Sequence, residues 1–296
     1  MKELVVISGK GGTGKTSLVA SFAALAGHKV LADCDVDAAD LHLVLAPSVQ
    51  RQEEFVGGKR ARIDAEACAG CGKCRDLCRF DAVEVAGGNG AEANFWIDPV
   101  ACEGCGVCAW FCPEEAILME DAVNGEWFVS ETRHGPMVHA RLDAAEENSG
   151  KLVTRIRQEA RRLAEDQGLD LILIDGSPGI GCPVIASVSG VDLALVVVEP
   201  TLSGMHDFGR VAELASHFGI PAAVCVNRWD LNTRMTEQIE ADALFRGNLV
   251  VGRVRYDPAV TRAQIEATSV VEYSQDGVSE DIRALWRRLA HALGQG

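Results

Sequence analysis

The segment Gly9-Lys10-Gly11-Gly12-Thr13-Gly14-Lys15-Thr16 constrains this chain more than any other stretch. The apolar run Leu4-Val5-Val6-Ile7 leads into it, and small and apolar residues fill positions 17–26 behind it. That order reads as a buried strand, a glycine loop and a helix. Glycines let the backbone curl with its N–H groups pointing inward, and the helix start adds the positive end of its dipole, so the loop is built to hold phosphate. Gly9-x4-Gly14-Lys15-Thr16 fills every position of the Walker A pattern, in which Lys15 reaches the β- and γ-phosphates and the Thr16 hydroxyl meets Mg²⁺. Gly9, Lys10, Gly11, Gly12, Thr13, Gly14, Lys15, Thr16 and Ser17 are therefore the candidate nucleotide contacts.

The rest of the chain repeats this alternation. A second strand over 29–32 ends at Asp33-Cys34-Asp35, and buried-type runs at 171–174, 193–198, 222–226 and 249–254 are separated by helical stretches. Continuous apolar runs of this length mark parallel strands covered on both faces. An aromatic share of only 5% within 48% hydrophobic residues favours aliphatic α/β packing over a β-sandwich. The spacing predicts an amphipathic helix over 151–167, with Asn148 or Ser149 as N-cap and Gly168 just past its end. Residues 127–129 and 137–140 read as paired strands around a turn at 133–136. A C-terminal helix over about 279–293 carries Ile282, Leu285, Trp286, Leu289 and Leu293 on one face. Asp175 closes the run 171–174 in the context of a Walker B carboxylate, and Asp33 and Asp35 end their strand at the same phosphate-binding edge.

Eight of the eleven cysteines fall in two runs, Cys68-x2-Cys71-x2-Cys74-x3-Cys78 and Cys102-x2-Cys105-x2-Cys108-x3-Cys112-Pro113. This is the bacterial ferredoxin spacing written twice, and neither long helices nor long strands fit between the runs. In that arrangement three thiolates wrap one cubane and the fourth ligates the other. Cys68, Cys71, Cys74 and Cys112 are assigned to one [4Fe–4S] cluster, and Cys102, Cys105, Cys108 and Cys78 to the second. Structural zinc, which prefers paired CxxC units across a longer spacer, fits less well. Arg79 follows Cys78 where ferredoxins usually have proline. Cys34, Cys182 and Cys225 stand alone and read as small core or loop residues. Cys182 sits just after the Asp175 loop.

With these motifs in view, the chain resembles the MinD/ParA/Mrp group of P-loop ATPases, over about 1–50 and 145–275, with a two-cluster ferredoxin domain inserted. The resemblance rests on Lys10-Gly11-Gly12-Thr13-Gly14-Lys15-Thr16, a deviant Walker A, and on Glu199-Pro200-Thr201 and Tyr256-Asp257-Pro258-Ala259. Residues 146–151 and Asp175-Gly176-Ser177-Pro178-Gly179-Ile180-Gly181-Cys182-Pro183 look characteristic of the ferredoxin-bearing subgroup. It implies an ATP-sandwich dimer in which Lys10 crosses to the partner's nucleotide. It also implies Asp35 as the residue orienting the attacking water, Asp33 and Asp175 near Mg²⁺, and Asn227 on the adenine. Arg228 and Arg255 depart from the family's usual lysine and proline.

The expected fold is an α/β P-loop NTPase with a mostly parallel sheet covered on both faces, carrying a small ferredoxin-like α+β insert. The expected domains are 1–58 and 119–296 for the ATPase and 59–118 for the insert. The leading functional expectation is a Mg²⁺-dependent ATPase acting as a dimeric switch, whose two [4Fe–4S] clusters exchange electrons with a protein partner. The alternatives are a carrier that assembles iron–sulfur clusters and a positioning protein with structural or redox-sensing clusters. The dimer is expected with itself or a related ATPase. A net charge of −15 argues against nucleic acid. No segment reads as a signal peptide or a membrane span, so a cytoplasmic location is expected.

Overall fold

The computed structural model describes residues 1–87, 94–143 and 149–294. The chain divides into two compact units: Met1–Glu53 with Trp127–Arg141 and Ser149–Gly296, and Glu54–Glu126 with Leu142–Asn148. In chain order the elements begin with β1 (Lys2–Ser8), α1 (Lys15–Leu25), β2 (Lys29–Cys34), α2 (Leu41–Leu45) and β3 (Ser48–Ile63). Then follow α3 (Lys73–Leu77), β4 (Val83–Gly87), β5 (Asn94–Ile97), α4 (Val107–Trp110), β6 (Ile117–Thr132) and β7 (Gly135–Leu142). The remainder alternates: α5 (Ser149–Gln167), β8 (Leu171–Pro178), α6 (Cys182–Val188), β9 (Leu193–Val198), α7 (Leu202–His217), β10 (Ala222–Asn227). It ends with α8 (Thr233–Phe245), β11 (Leu249–Val254), α9 (Ala259–Ile265), α10 (Val270–Tyr273) and α11 (Val278–Ala292).

The larger sheet runs β11-β10-β9-β1-β8-β2-β7-β6-β3. From β11 through β7 every neighbour pair is parallel. All six residues of β2, β9 and β10 are buried, as strands sandwiched between helices require. Leu4 and Val6 pack with Leu18 and Phe22 of α1 and with Leu285 and Leu289 of α11. Alternation along β1 aims Val5 and Ile7 to the opposite face, where α5, α6 and α7 pack against β2, β8 and β9. Helices thus cover both faces of the parallel sheet.

Two elements differ from the sequence reading. Residues 127–129 belong to β6, a strand of 16 residues, and β3 is an equally long strand that the sequence pattern does not show. The stretch 137–140 does neighbour β6, but it also joins the parallel sheet through Leu31↔Met137 and Ala32↔Val138. Helix α5 stops at Gln167, and Gly168 takes φ +64, the left-handed turn that a C-terminal glycine supplies. Glu146, Glu147 and the candidate cap Asn148 lie outside the described residues. The apolar face of α11 is spent on the core: Ile282, Leu285 and Leu289 are buried, and Trp286 stacks on Phe22 with ring centroids 5.2 Å apart. Arg283 and Arg288 donate to the carbonyls of Val271 and Val251. Among the described residues no helix is long and apolar enough to cross a membrane.

The second unit is built twice over the same plan. Gly70 and Gly72 take φ +69 and +75, and their counterparts Gly104 and Gly106 take +64 and +75. Asp81 and Glu115, three residues past the last cysteine of each run, both sit at φ +51. The Asp64 N–H donates to the Ala116 carbonyl, and the matching Asp98 N–H donates to the Ala82 carbonyl, each at 2.8 Å. Strands β4 and β5 pair antiparallel.

Candidate functional site

The phosphate loop hangs between β1 and α1. Gly12 and Gly14 have φ +76 and +92, and a Cβ on Gly14 would stand 2.5 Å from Asn227 Nδ2, so only glycine fits there. Asn227, at the end of β10, donates from Nδ2 to the Thr13 carbonyl at 2.7 Å, while its Oδ1 accepts the Arg228 N–H at 3.0 Å. Its side chain thereby braces the loop from behind.

Lys15 is buried at the loop's end with Nζ 3.5 Å from Asp35 Oδ2. Asp33 and Asp175 are register partners on β2 and β8, and both are fully buried. Asp33 Oδ2, Asp35 Oδ1, both oxygens of Asp175 and Thr13 Oγ1 have no hydrogen-bond partner. Burial pushes the Asp33 carboxyl well above the usual range, and the Asp175 charge beside it adds to that. Burial likewise raises Asp175, against the pull of Lys15 and the nearby Thr16 hydroxyl. Asp35 is raised by burial and drawn back by Lys15.

Asp35 and Asp175 both feel the Lys15 charge, and Asp33 lies in register with Asp175 on the neighbouring strand. Orphaned acceptors at such a place fit a divalent cation. Among the described residues no three His, Cys, Asp or Glu side chains enclose a metal ion by themselves. Mg²⁺ in nucleotide sites has that character, since it takes one or two carboxylates and fills its sphere with phosphate oxygens and water.

Beside the loop opens a cavity of about 370 Å³. Its lining includes Gly11, Gly12, Gly14, Lys15, Thr16 and Ser17 of the loop, Asp35, Asp40 and Asn227, and also Arg228, Tyr256, Asp257, Thr261 and Gln264. Gln264 Nε2 donates to Ser17 Oγ at 3.0 Å. Tyr256, just before α9, and Gln264, on α9, carry no motif of their own and come far after the glycines in the chain, so only the fold brings them to the cavity. Lys10 is not among the residues that line this cavity. Its Nζ lies 3.1 Å from Glu199 Oε2 and 3.4 Å from Ser203 Oγ. Glu199 also accepts from the Arg228 guanidinium.

The eight clustered cysteines lie in the second unit around two cavities. One, of about 20 Å³, is lined by Cys68, Cys71, Cys74 and Cys112 with Ile63, Phe95 and Ile117. The other, of about 250 Å³, is lined by Cys78, Cys102, Cys105 and Cys108 with Ala61, Val83 and Ile97. Each run thus gives three thiols to one cavity and one to the other. The Ala116 N–H donates to Cys112 Sγ at 3.4 Å. Burial raises the Cys74 and Cys108 thiols in the same way in both halves. Tetrahedral zinc would gather four sulfurs onto a point at about 2.3 Å. A [4Fe–4S] cluster is held by four cysteines, the number that lines each cavity. Cys34 and Cys225 are buried in the other unit, and Cys182 is exposed at the start of α6.

The family described as the CobQ/CobB/MinD/ParA nucleotide binding domain matches residues 4–270. An uncharacterised protein of Methanocaldococcus jannaschii is 35% identical over 236 residues, 78% of this chain and 79% of that protein. Among solved structures, the MinD cell division protein of Aquifex aeolicus superposes with a TM-score of 0.57 at 19% identity, covering 98% of this chain and 97% of its own. An ATP complex of McdA from Cyanothece gives 0.57 at 16%, covering 100% and 97%. At such identities these two structures speak for the fold.

Proposed function

The chain belongs to the CobQ/CobB/MinD/ParA nucleotide-binding family, and on that premise we propose that it is an ATP-driven dimeric switch that governs electron exchange by two iron–sulfur clusters. The observation that carries this reading is the presence, in one chain, of a charge-rich phosphate pocket and of two cavities each lined by four thiols.

The ATPase half works through the chain's own residues. Inward N–H groups of residues 9–16 and the Lys15 ammonium bind the phosphates. Lys15 Nζ lies 3.5 Å from Asp35 Oδ2. When phosphate takes Lys15, Asp35 loses its partner and turns to the attacking water, which it orients by accepting a proton-side hydrogen bond. Thr16, Asp33 and Asp175 would hold Mg²⁺, which would supply charge neutralisation at the phosphate oxygens. Asn227 keeps the loop in shape and borders the adenine, and Tyr256 and Gln264 wall the base and ribose. Lys10 acts on the nucleotide of a second copy, or of a related ATPase.

In the second unit, Cys68, Cys71, Cys74 and Cys112 hold one [4Fe–4S] cluster and Cys102, Cys105, Cys108 and Cys78 the other, within the segment 59–118. Bound clusters supply one-electron transfer at potentials that second-shell hydrogen bonds tune. The Ala116 N–H on Cys112 Sγ is such a bond. Cys71 and Cys105 are exposed and the other six are partly shielded, so a resident cluster is favoured over cargo by the complete eight-cysteine ligand pattern. The buried apolar face of α11 leaves a MinD-like positioning role without a membrane contact on that helix.

Anaerobically purified protein should carry about eight iron and eight acid-labile sulfide per chain and hydrolyse ATP with Mg²⁺. Cys112→Ser should remove iron while leaving nucleotide binding in place. Stoichiometric zinc with little sulfide, or ATP binding lost together with the iron, would sink the proposal.

A further inference from the structure

We propose that Glu199 is a positioning residue that holds Lys10 on its own chain until two nucleotide-bound copies meet. The inference rests on the reading that Lys10 acts across a dimer, and it adds what restrains Lys10 beforehand. Glu199 stands just past β9, the neighbour of β1 in the sheet, so β1 and β9 bring the glycine loop and Glu199 to the same edge. Its carboxylate is mostly buried, with 14% of the side chain exposed against 34% for Lys10. The backbone around it is fixed. The Thr201 N–H donates to the Glu199 carbonyl at 2.8 Å, and Thr201 Oγ1 caps α7 by accepting the Gly204 N–H at 3.0 Å. A Cβ on Gly204 would lie 2.3 Å from the Glu199 carbonyl oxygen, so α7 is seated directly against that backbone.

Lys10 therefore has a fixed counter-ion on its own chain, with Ser203 Oγ as an additional partner. To reach phosphate on another copy it must leave both. Glu199 is not stranded when that happens, because the Arg228 guanidinium stays on its other oxygen. An uncompensated buried carboxylate would oppose release strongly; one that keeps a second cation opposes it mildly. Glu199 is thus a weak, reversible restraint that sets a threshold for dimerisation and leaves the phosphate loop untouched.

A half-exposed ion pair is worth about two- to five-fold in an equilibrium constant. A symmetric dimer frees two such lysines, so the dimer constant should change by the square, about four- to twenty-five-fold. The experiment is sedimentation velocity of the full chain with Mg²⁺ and a non-hydrolysable ATP analogue, for wild type, Glu199→Gln, Glu199→Asp and Lys10→Gln. Glu199→Gln should dimerise at about four- to twenty-five-fold lower protein concentration than wild type. Glu199→Asp keeps the charge for Arg228 but shortens the reach to Lys10, so it should fall between the two. Nucleotide affinity of Glu199→Gln at concentrations where it remains monomeric should match wild type, because Glu199 does not line the nucleotide cavity.

An unchanged or weaker dimer for Glu199→Gln, with Lys10→Gln monomeric, would overturn the restraint and leave the cross-dimer lysine standing. Dimerisation of Lys10→Gln at the wild-type concentration would reject the cross-dimer reading, and the restraint with it. Weaker monomer nucleotide affinity in Glu199→Gln would show that Glu199 acts through Arg228 on the base pocket, which also overturns the proposal.

Discussion

His139 should contribute a loss of stability to the nucleotide-binding unit as the pH falls from 6.5 toward about 4. It sits on β7 with 8% exposure, its ring stacked on Phe128 with centroids 4.9 Å apart and its Nε2 2.9 Å from Ser130 Oγ. Burial lowers its pKa from 6.5 to about 4, and His42, stacked at 6.3 Å, opposes a second positive charge there. The unfolded chain takes up a proton near pH 6.5 and the folded chain refuses it until about pH 4. The unfolded state therefore binds more protons in that window, and stability falls as pH drops through it. With those two values, linkage gives a loss of about 1.4 kcal/mol between pH 7.5 and 5.5, and almost none between 8.5 and 7.5. His139→Gln keeps a polar partner for Ser130 but does not titrate. It should cost some stability at every pH, from the lost ring stacking, while removing this one slope. The assay is urea unfolding of wild type and His139→Gln side by side at pH 7.5, 6.5 and 5.5, with the imidazole followed by NMR. Carboxylate contributions are common to both and cancel in the difference. Parallel stability curves for the two proteins, or a folded His139 that titrates near 6.5, would refute the reasoning.

Three other outcomes are expected. Gly14→Ala would force a side chain into left-handed backbone and against Asn227 Nδ2 at 2.5 Å; the strain, about 1–2 kcal/mol, should displace the loop and abolish nucleotide binding measured by calorimetry while circular dichroism stays native. Lys15→Ala should likewise lose nucleotide, whereas Asp35→Ala should bind Mg²⁺–ATP without turnover and accumulate as a dimer; multiple turnovers by Asp35→Ala would remove its assigned role. If nucleotide state and cluster state are coupled by a typical 1–3 kcal/mol, a cluster potential should move by about 40–130 mV on ATP binding. An EPR-monitored redox titration of Asp35→Ala with and without Mg²⁺–ATP checks this, and equal potentials would leave ATP controlling partner docking alone.

The parallel sheet was legible because its strands are short and buried on both faces. Runs such as 193–198 have no polar interruption, and no other local structure suits them. The glycine loop was legible because φ beyond +70° at Gly12 and Gly14 leaves a compositional mark. The two long strands were not. Ser48–Ile63 mixes charges with Gly57 and Gly58 and buries only Phe55, Gly57 and Ala61, so neither a period of two nor a continuous apolar run emerges. Pairing of β7 with β2 was equally hidden, since it joins residues about a hundred positions apart through only two register contacts. Within the site, the cysteine spacing already separates the thiols into the groups that line common cavities. The contacts of Lys10 could not be read that way. Glu199 and Arg228 are conventional surface residue types at 189 and 218 positions' remove, and only the strand order places them together.

The doubled plan of the second unit has a consequence for how that unit can be cut, copied or repaired. Because each half lends one cysteine to the other's cavity, a fragment ending between residues 78 and 102 has no complete ring of four thiols at all, although it retains half of the cysteines. The halves are interlocked: a lesion at Cys78 or Cys112 is felt in the cavity of the opposite repeat, and neither repeat is a minimal working part. Such a segment can be inherited, transplanted or lost only whole.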